Sequence, residues 1–323
     1  MSIISVLIIA AGVFIGWNIG ANDAANCVGA DIGSRRMSLK EGIIITCLFS
    51  FLGALLFGSR VIKTVGKGVV PLDNLEPRMA MLVALAACCG AGLWVFVATY
   101  RKMPVSTSHS IVGAVAGAGL AVSTPIYWQK ISEIFLSWVL TPFGSGILAF
   151  LFYPIMRKVF FSLVPRKFES VVTRWLLILS SIYLAFTWGA NDVANATGVM
   201  VGSGIFSVFW ATVVGGVAIV FGITTWGYKV IETVGFKITH MLPMMAFVAE
   251  VASAVNVQIY TQLGIPVSTS HSMVGAVIGV GFARGISAVN KRIIRDMVVV
   301  WSLTPFMSGL ISFIILKGIM LVR

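Results

Sequence analysis

The sequence predicts an all-α, polytopic membrane protein made of two repeats of inverted topology, with broken helices and re-entrant hairpins. Three observations predict it. Charge is scarce: 11% of the 323 residues are Asp, Glu, Lys or Arg and 58% are hydrophobic, against about 25% charged in a soluble domain. Many windows of about 18 residues or more carry no charge at all, which marks membrane-spanning helices. Four sequence blocks also recur in the same order in the two halves, and basic residues gather in alternate connections.

Residues 3–30 form the first apolar span. No basic residue precedes it, so it reads as a helix and not as a cleavable signal. It contains Gly20-Ala21-Asn22-Asp23-Ala24-Ala25-Asn26. A second span follows at 41–59, then a polar connection at 60–78 that holds Val61-Ile62-Lys63-Thr64-Val65-Gly66. A third span at 79–100 ends at Arg101-Lys102. Pro104-Val105-Ser106-Thr107-Ser108-His109-Ser110 then opens a Gly/Ala-rich segment to 122, and a last span at 130–156 contains Trp138 and Thr141-Pro142-Phe143. The second half repeats this order with Gly189-Ala190-Asn191-Asp192-Val193-Ala194-Asn195, Val230-Ile231-Glu232-Thr233-Val234-Gly235, Pro266-Val267-Ser268-Thr269-Ser270-His271-Ser272, and Trp301 with Thr304-Pro305-Phe306. The offsets are 169 for the first two blocks, 162 for the third and 163 for the fourth. An extra loop near 68–78 accounts for the drop. The division is a first repeat at 1–157, a basic cytoplasmic linker at 158–174 and a second repeat at 175–323. Internal repeats of this kind are typical of transporters.

Charge orients the halves. With five crossings per half, starting outside, the inner connections hold 16 of the 23 Lys and Arg residues. That bias follows the positive-inside rule and puts both termini outside. An odd number of crossings inverts the second half. The net charge of +12 is therefore an orientation signal and not a nucleic-acid surface. Cys27, Cys47, Cys88 and Cys89 lie within or at the ends of apolar segments, with neither metal-type nor disulfide spacing.

The two Asn-Asp heptads carry the main functional signal. On a helix Asn22, Asp23 and Asn26 share a face, as do Asn191, Asp192 and Asn195. An Asp at the bilayer centre costs about 2.5–3.5 kcal/mol and is functional by default. Carboxylate and amide oxygens suit Na⁺, and a carboxylate can also carry a proton. The Pro-Val-Ser-Thr-Ser stretches read as helix starts, where free N–H groups and the helix dipole favour an anion. Ser106, Thr107, Ser108, Ser268, Thr269 and Ser270 add hydroxyl donors; N-capping is the plainer role of the same residues. His109 and His271 read as helix-start residues that donate to backbone or pack between helices.

Glu250 stands alone, because its first-half counterpart is Cys88. It is a candidate coupling-ion ligand or proton carrier. Asp31 reads as interfacial. Thr141-Pro142 and Thr304-Pro305 mark broken or kinked helices in which Thr satisfies freed carbonyls. A Ser-His-Asp hydrolase is a rival, although no Gly-x-Ser-x-Gly elbow occurs. An anion channel is another.

Taken together, the paired Gly-Ala-Asn-Asp-x-Ala-Asn and Pro-Val-Ser-Thr-Ser-His-Ser motifs resemble the inorganic phosphate transporter (PiT, or Pho4-type) family along nearly the whole chain. The resemblance implies a non-enzymatic symporter in the plasma membrane that imports phosphate with Na⁺ or H⁺ and forms a homodimer. It assigns Asn22, Asp23, Asn26, Asn191, Asp192 and Asn195 to the substrate and cation site, and the six Ser/Thr residues to its hydroxyl cluster. Sulfate permeases of the same superfamily are the alternative. Many relatives carry a glutamate shortly before a glycine in the second helix of each half; here Ser50 precedes Gly53, and Ile219 stands where Ser50 stands.

Overall fold

The computed structural model describes residues 3–101, 105–228, 230–231, 241–285 and 291–321. Lys102, Pro104, Lys229, Glu232, Thr233, Val234, Gly235 and Lys237, on which part of the sequence reading fell, lie outside them. Among the described residues the regular structure is helical. The helices are α1 (Ile3–Asp23), α2 (Ala25–Gly33), α3 (Leu39–Phe57), α4 (Ser59–Lys67), α5 (Pro77–Tyr100), α6 (Thr107–Ala121), α7 (Trp128–Leu163), α8 (Glu169–Gly202), α9 (Val208–Gly222), α10 (Pro243–Gln262), α11 (Thr269–Ala283) and α12 (Lys291–Leu321).

Local sequence explains the starts. Ser38 caps α3 in a reciprocal box with Glu41. Glu76 caps α5, whose first residue is Pro77. Ser106 and Ser268 cap α6 and α11 by accepting from the N–H groups of His109 and His271. In the basic stretch 158–174, α7 runs to Leu163, a short turn covers Arg166–Phe168, and α8 begins at Glu169.

Among the described residues, eight helical segments are long and apolar enough to cross a bilayer. Helices α6 and α11 have 15 residues each, or about 22 Å at 1.5 Å per residue, short of a hydrocarbon core of roughly 30 Å. Helix breaking is also unequal. The first heptad is interrupted at Ala24, where Cys27 N–H reaches back only three residues to the Ala24 carbonyl at 3.2 Å. The second heptad lies inside the unbroken α8.

Each half packs into the other. Helix α6 runs along α12, and α11 runs along α7. Glycines make these contacts close enough for backbone to meet backbone: a Cβ on Gly113 would stand 2.2 Å from the Pro305 carbonyl oxygen, and one on Gly275 2.1 Å from that of Pro142. The heptads are seated the same way, with Gly20 against the Ile219 carbonyl of α9 and Gly189 against the Ser50 carbonyl of α3.

The prolines are tied to the histidines. Pro142 and Pro305 lie inside α7 and α12 and lack the N–H that would bond the carbonyl four residues back. Those carbonyls belong to Trp138 and Trp301. His271 Nδ1 lies 3.4 Å from the Trp138 oxygen and His109 Nδ1 3.1 Å from the Trp301 oxygen. A carbonyl only accepts, so each Nδ1 carries the proton. The freed carbonyls were expected to be satisfied by Thr. Instead Thr141 and Thr304 donate to Ser137 and Val300, at 2.6 and 2.8 Å, and a histidine from the opposite half fills each gap. The rings also stack on the tryptophans, His109 on Trp138 and His271 on Trp301, each with centroids 3.7 Å apart.

Removing one histidine leaves a buried carbonyl unpaired. His109→Ala is expected to lower stability by about 1–3 kcal/mol in denaturant unfolding of the purified protein. His109→Asn, whose amide can still donate, recovers part of the loss.

Candidate functional site

The two heptads and the two hydroxyl helix starts converge on one buried cluster. From the first heptad, Asp23 Oδ2 accepts from Thr107 Oγ1 at 3.1 Å, and Asp23 Oδ1 from Ser270 Oγ at 3.5 Å. Asn26 Nδ2 donates to Ser270 Oγ at 2.8 Å. From the second, Asp192 Oδ2 accepts from Thr269 Oγ1 at 3.4 Å, and Asn195 Nδ2 donates to Ser108 Oγ at 3.1 Å and to Asp192 Oδ1 at 3.2 Å. Thus Asn26 of the first half holds the second half's serine, and Asn195 of the second half holds the first half's serine. The two carboxylates are linked through side chains: Thr107 donates to Asp23 and accepts from Asn195 Nδ2 at 3.5 Å, and Asn195 also donates to Asp192.

Asn22 and Asn191 do different work. Asn22 Nδ2 donates to Thr99 Oγ1, and Asn191 Nδ2 to Thr261 Oγ1, both at 2.9 Å. Asn191 also donates to the Ile265 carbonyl at 3.2 Å and accepts from Val267 N–H at 3.0 Å, which pins the turn between α10 and α11. Thr99 and Thr261 were overlooked in the sequence, although they stand 162 residues apart, the offset of the Pro-Val-Ser-Thr-Ser block. Exposure differs between the halves. Asn22 and Asn26 are half-buried, whereas Asn191, Asp192 and Asn195 are buried.

The caps leave donors for a ligand. Ser106 takes the N–H of His109, so that cap does not use the N–H groups of Thr107 and Ser108. Ser268 does the same for His271. Asn195 Oδ1 is a buried acceptor with no hydrogen-bond partner. With the Asp23 and Asp192 carboxylates beside it, this oxygen set fits a hard monovalent cation such as Na⁺. The Ser-His-Asp arrangement does not form a catalytic relay. Ser106 bonds the backbone of His109, and the imidazole turns to Trp301.

Glu250 is drawn elsewhere. Ser180 Oγ donates to its Oε2 at 2.5 Å. Asp31, read from the sequence as interfacial, is fully buried and accepts from Ser181. The correction has a plain cause. Helix α2 is packed against α8 and α10, so the end of the first span is covered by protein. Asp31 and Glu250 are thus served by adjacent serines, and each keeps one buried carboxyl oxygen with no hydrogen-bond partner, which makes a second polar centre apart from the heptads.

A many-helix membrane protein that gathers anion donors and cation acceptors from both halves of its chain into one buried cluster belongs to the membrane transporters, not to the enzymes. Residues 19–312 match the family described as PHO4, phosphate transporter family, and the chain belongs to that family. A Pyrococcus abyssi protein that carries a phosphate permease name is 33% identical over 95% of each chain. The Arabidopsis thaliana protein named inorganic phosphate transporter 2-1, chloroplastic, is 28% identical over 91% of this chain and 68% of its own. A solved structure described as the sodium-dependent phosphate transporter is 30% identical, superposes with a TM-score of 0.89 and matches the full length of both chains.

The Asn191 side chain makes three hydrogen bonds, two of them to the backbone of the turn before α11. Asn191→Ala is expected to loosen the turn at residues 262–268 and to speed amide hydrogen exchange there about tenfold. Hydrogen-exchange mass spectrometry checks this, with α3 as the unaffected reference.

Proposed function

We propose that this chain imports inorganic phosphate together with a cation, by alternating access of one buried site to the two sides of the membrane. The observation that carries the reading is the cross-half bonding of Asn26 to Ser270 and of Asn195 to Ser108. It makes one site out of two repeats, and one site per molecule is what a carrier needs. The starts of α6 and α11 face this cluster and would hold the tetrahedral oxyanion through backbone N–H groups and the hydroxyls of Ser106, Thr107, Ser108, Ser268, Thr269 and Ser270.

Two carboxylates beside an anion repel it. A cation on Asp23 and Asp192, helped by the amide oxygens of the heptads, removes that repulsion, so cation and anion strengthen each other's binding. This is a physical basis for symport. Na⁺ is favoured over H⁺ by the oxygen set and by the name of the solved relative. Glu250, which accepts from Ser180, is assigned to carrying a proton. Placement in the plasma membrane, both termini outside and a homodimer complete the proposal.

Asp23→Asn and Asp192→Asn are each expected to cut uptake of radiolabelled phosphate into proteoliposomes at least about 100-fold, with unchanged protein in the membrane. A sodium gradient should drive wild-type uptake, a proton gradient much less, and sulfate should compete poorly. Normal uptake by either variant removes the heptads from the mechanism. Phosphate movement indifferent to both cations replaces the carrier by a channel.

A further inference from the structure

A second anion-attracting feature lies away from the heptads. A cleft of about 430 Å³ opens where the ends of α7 and α11 meet the starts of α8 and α10 and the turn after α2. Four arginines line it: Arg36, Arg157, Arg166 and Arg284. Arg36 donates to Ser170 Oγ at 2.6 Å, and Arg284 approaches the Met245 sulfur at 3.4 Å. Among the described residues none of the four forms an ion pair. Glu169 is the one acid on the cleft wall.

Four guanidinium groups around one opening with a single carboxylate repel each other, so the cleft is electrostatically incomplete. Arginine is the residue that best matches phosphate oxygens in pairs. Part of the wall is apolar. Phe161 and Leu242 line the cleft and are 58% and 46% exposed. Tyr153 and Thr173 line it as well, are nearly buried and bring hydroxyls. A charged opening beside an apolar wall suits an amphiphile better than a free ion. All four arginines also fall on the side that the charge count assigns to the inside, and basic clefts between helices on that side suit anionic headgroups.

We infer that this cleft binds the phosphodiester headgroup of an anionic phospholipid, with the acyl chains along Phe161 and Leu242. The lipid would bridge α7 of the first half to α10 and α11 of the second. Because the two halves must shift for access to alternate, a lipid at this seam would stabilise one arrangement. The inference concerns binding at the cleft and holds whichever ion the heptads carry.

The test uses the full-length protein purified in a neutral detergent. Phosphatidylglycerol, phosphatidylcholine and inorganic phosphate are added separately, and thermal unfolding is followed together with lipid retention by native mass spectrometry. Phosphatidylglycerol is expected to raise the unfolding temperature and to be retained, and the other two are not. The triple variant Arg157→Gln, Arg166→Gln, Arg284→Gln should bind it far more weakly, by about fivefold for each arginine removed. If the triple variant does not fold, Arg157→Gln alone should show one fivefold step. Equal retention by wild type and variant overturns the inference. So does equal stabilisation by phosphatidylcholine, or stabilisation by inorganic phosphate that the variant abolishes, which would make the cleft a free-anion site.

Discussion

The constraint on which everything else depends is that hydrocarbon offers no hydrogen-bond partners. Most polar groups in the interior of this protein find their complement in protein, and much of that complement comes from the opposite half. Proline removes an N–H from α7, and a histidine of α11 supplies the missing donor; proline removes one from α12, and a histidine of α6 supplies it. Neither half could bury its own kinked helix without leaving a bare carbonyl. The repeats are therefore held to each other by the same groups that bend them.

That mutual completion also shapes the candidate site. The helix starts that carry the hydroxyls are brought to the heptads because α6 and α11 lie in the backbone-deep grooves of α12 and α7. Glycine at the contact points lets this happen; any larger residue would push the helix starts away from Asp23 and Asp192. Packing and chemistry are in this sense one requirement. The difference between the heptads, one broken and half-buried, the other continuous and sealed, shows that equivalent sequences need not occupy equivalent conformations.

Much of the site was legible because its signal is compositional. Asn22, Asp23, Asn26 and their copies stand out in an apolar span, and repetition marks them again at a fixed offset. Thr99 and Thr261 were not legible: a threonine near the end of a membrane helix is ordinary, and only the bonds to Asn22 and Asn191 make these two part of the site. Asp31 was misplaced for a related reason. Its place near a helix end suggested an interface, but the covering of α2 by α8 and α10 is a tertiary fact. Ser180 and Ser181, which serve Glu250 and Asp31, have no unusual spacing to announce them.

The sequence by itself determined the medium, the helical class, the duplication and the identity of the polar groups, because these follow from hydropathy, from the cost of charge in lipid and from exact repetition. Only the tertiary structure decided which groups meet. The pairing of Asn26 with Ser270 and of Asn195 with Ser108, the histidines over the prolines' carbonyls, the shortness of α6 and α11, and the bonds from Ser180 and Ser181 to Glu250 and Asp31 all depend on how two halves interlock. Contacts across 70 to 247 residues of chain are fixed by packing, and no local pattern encodes them.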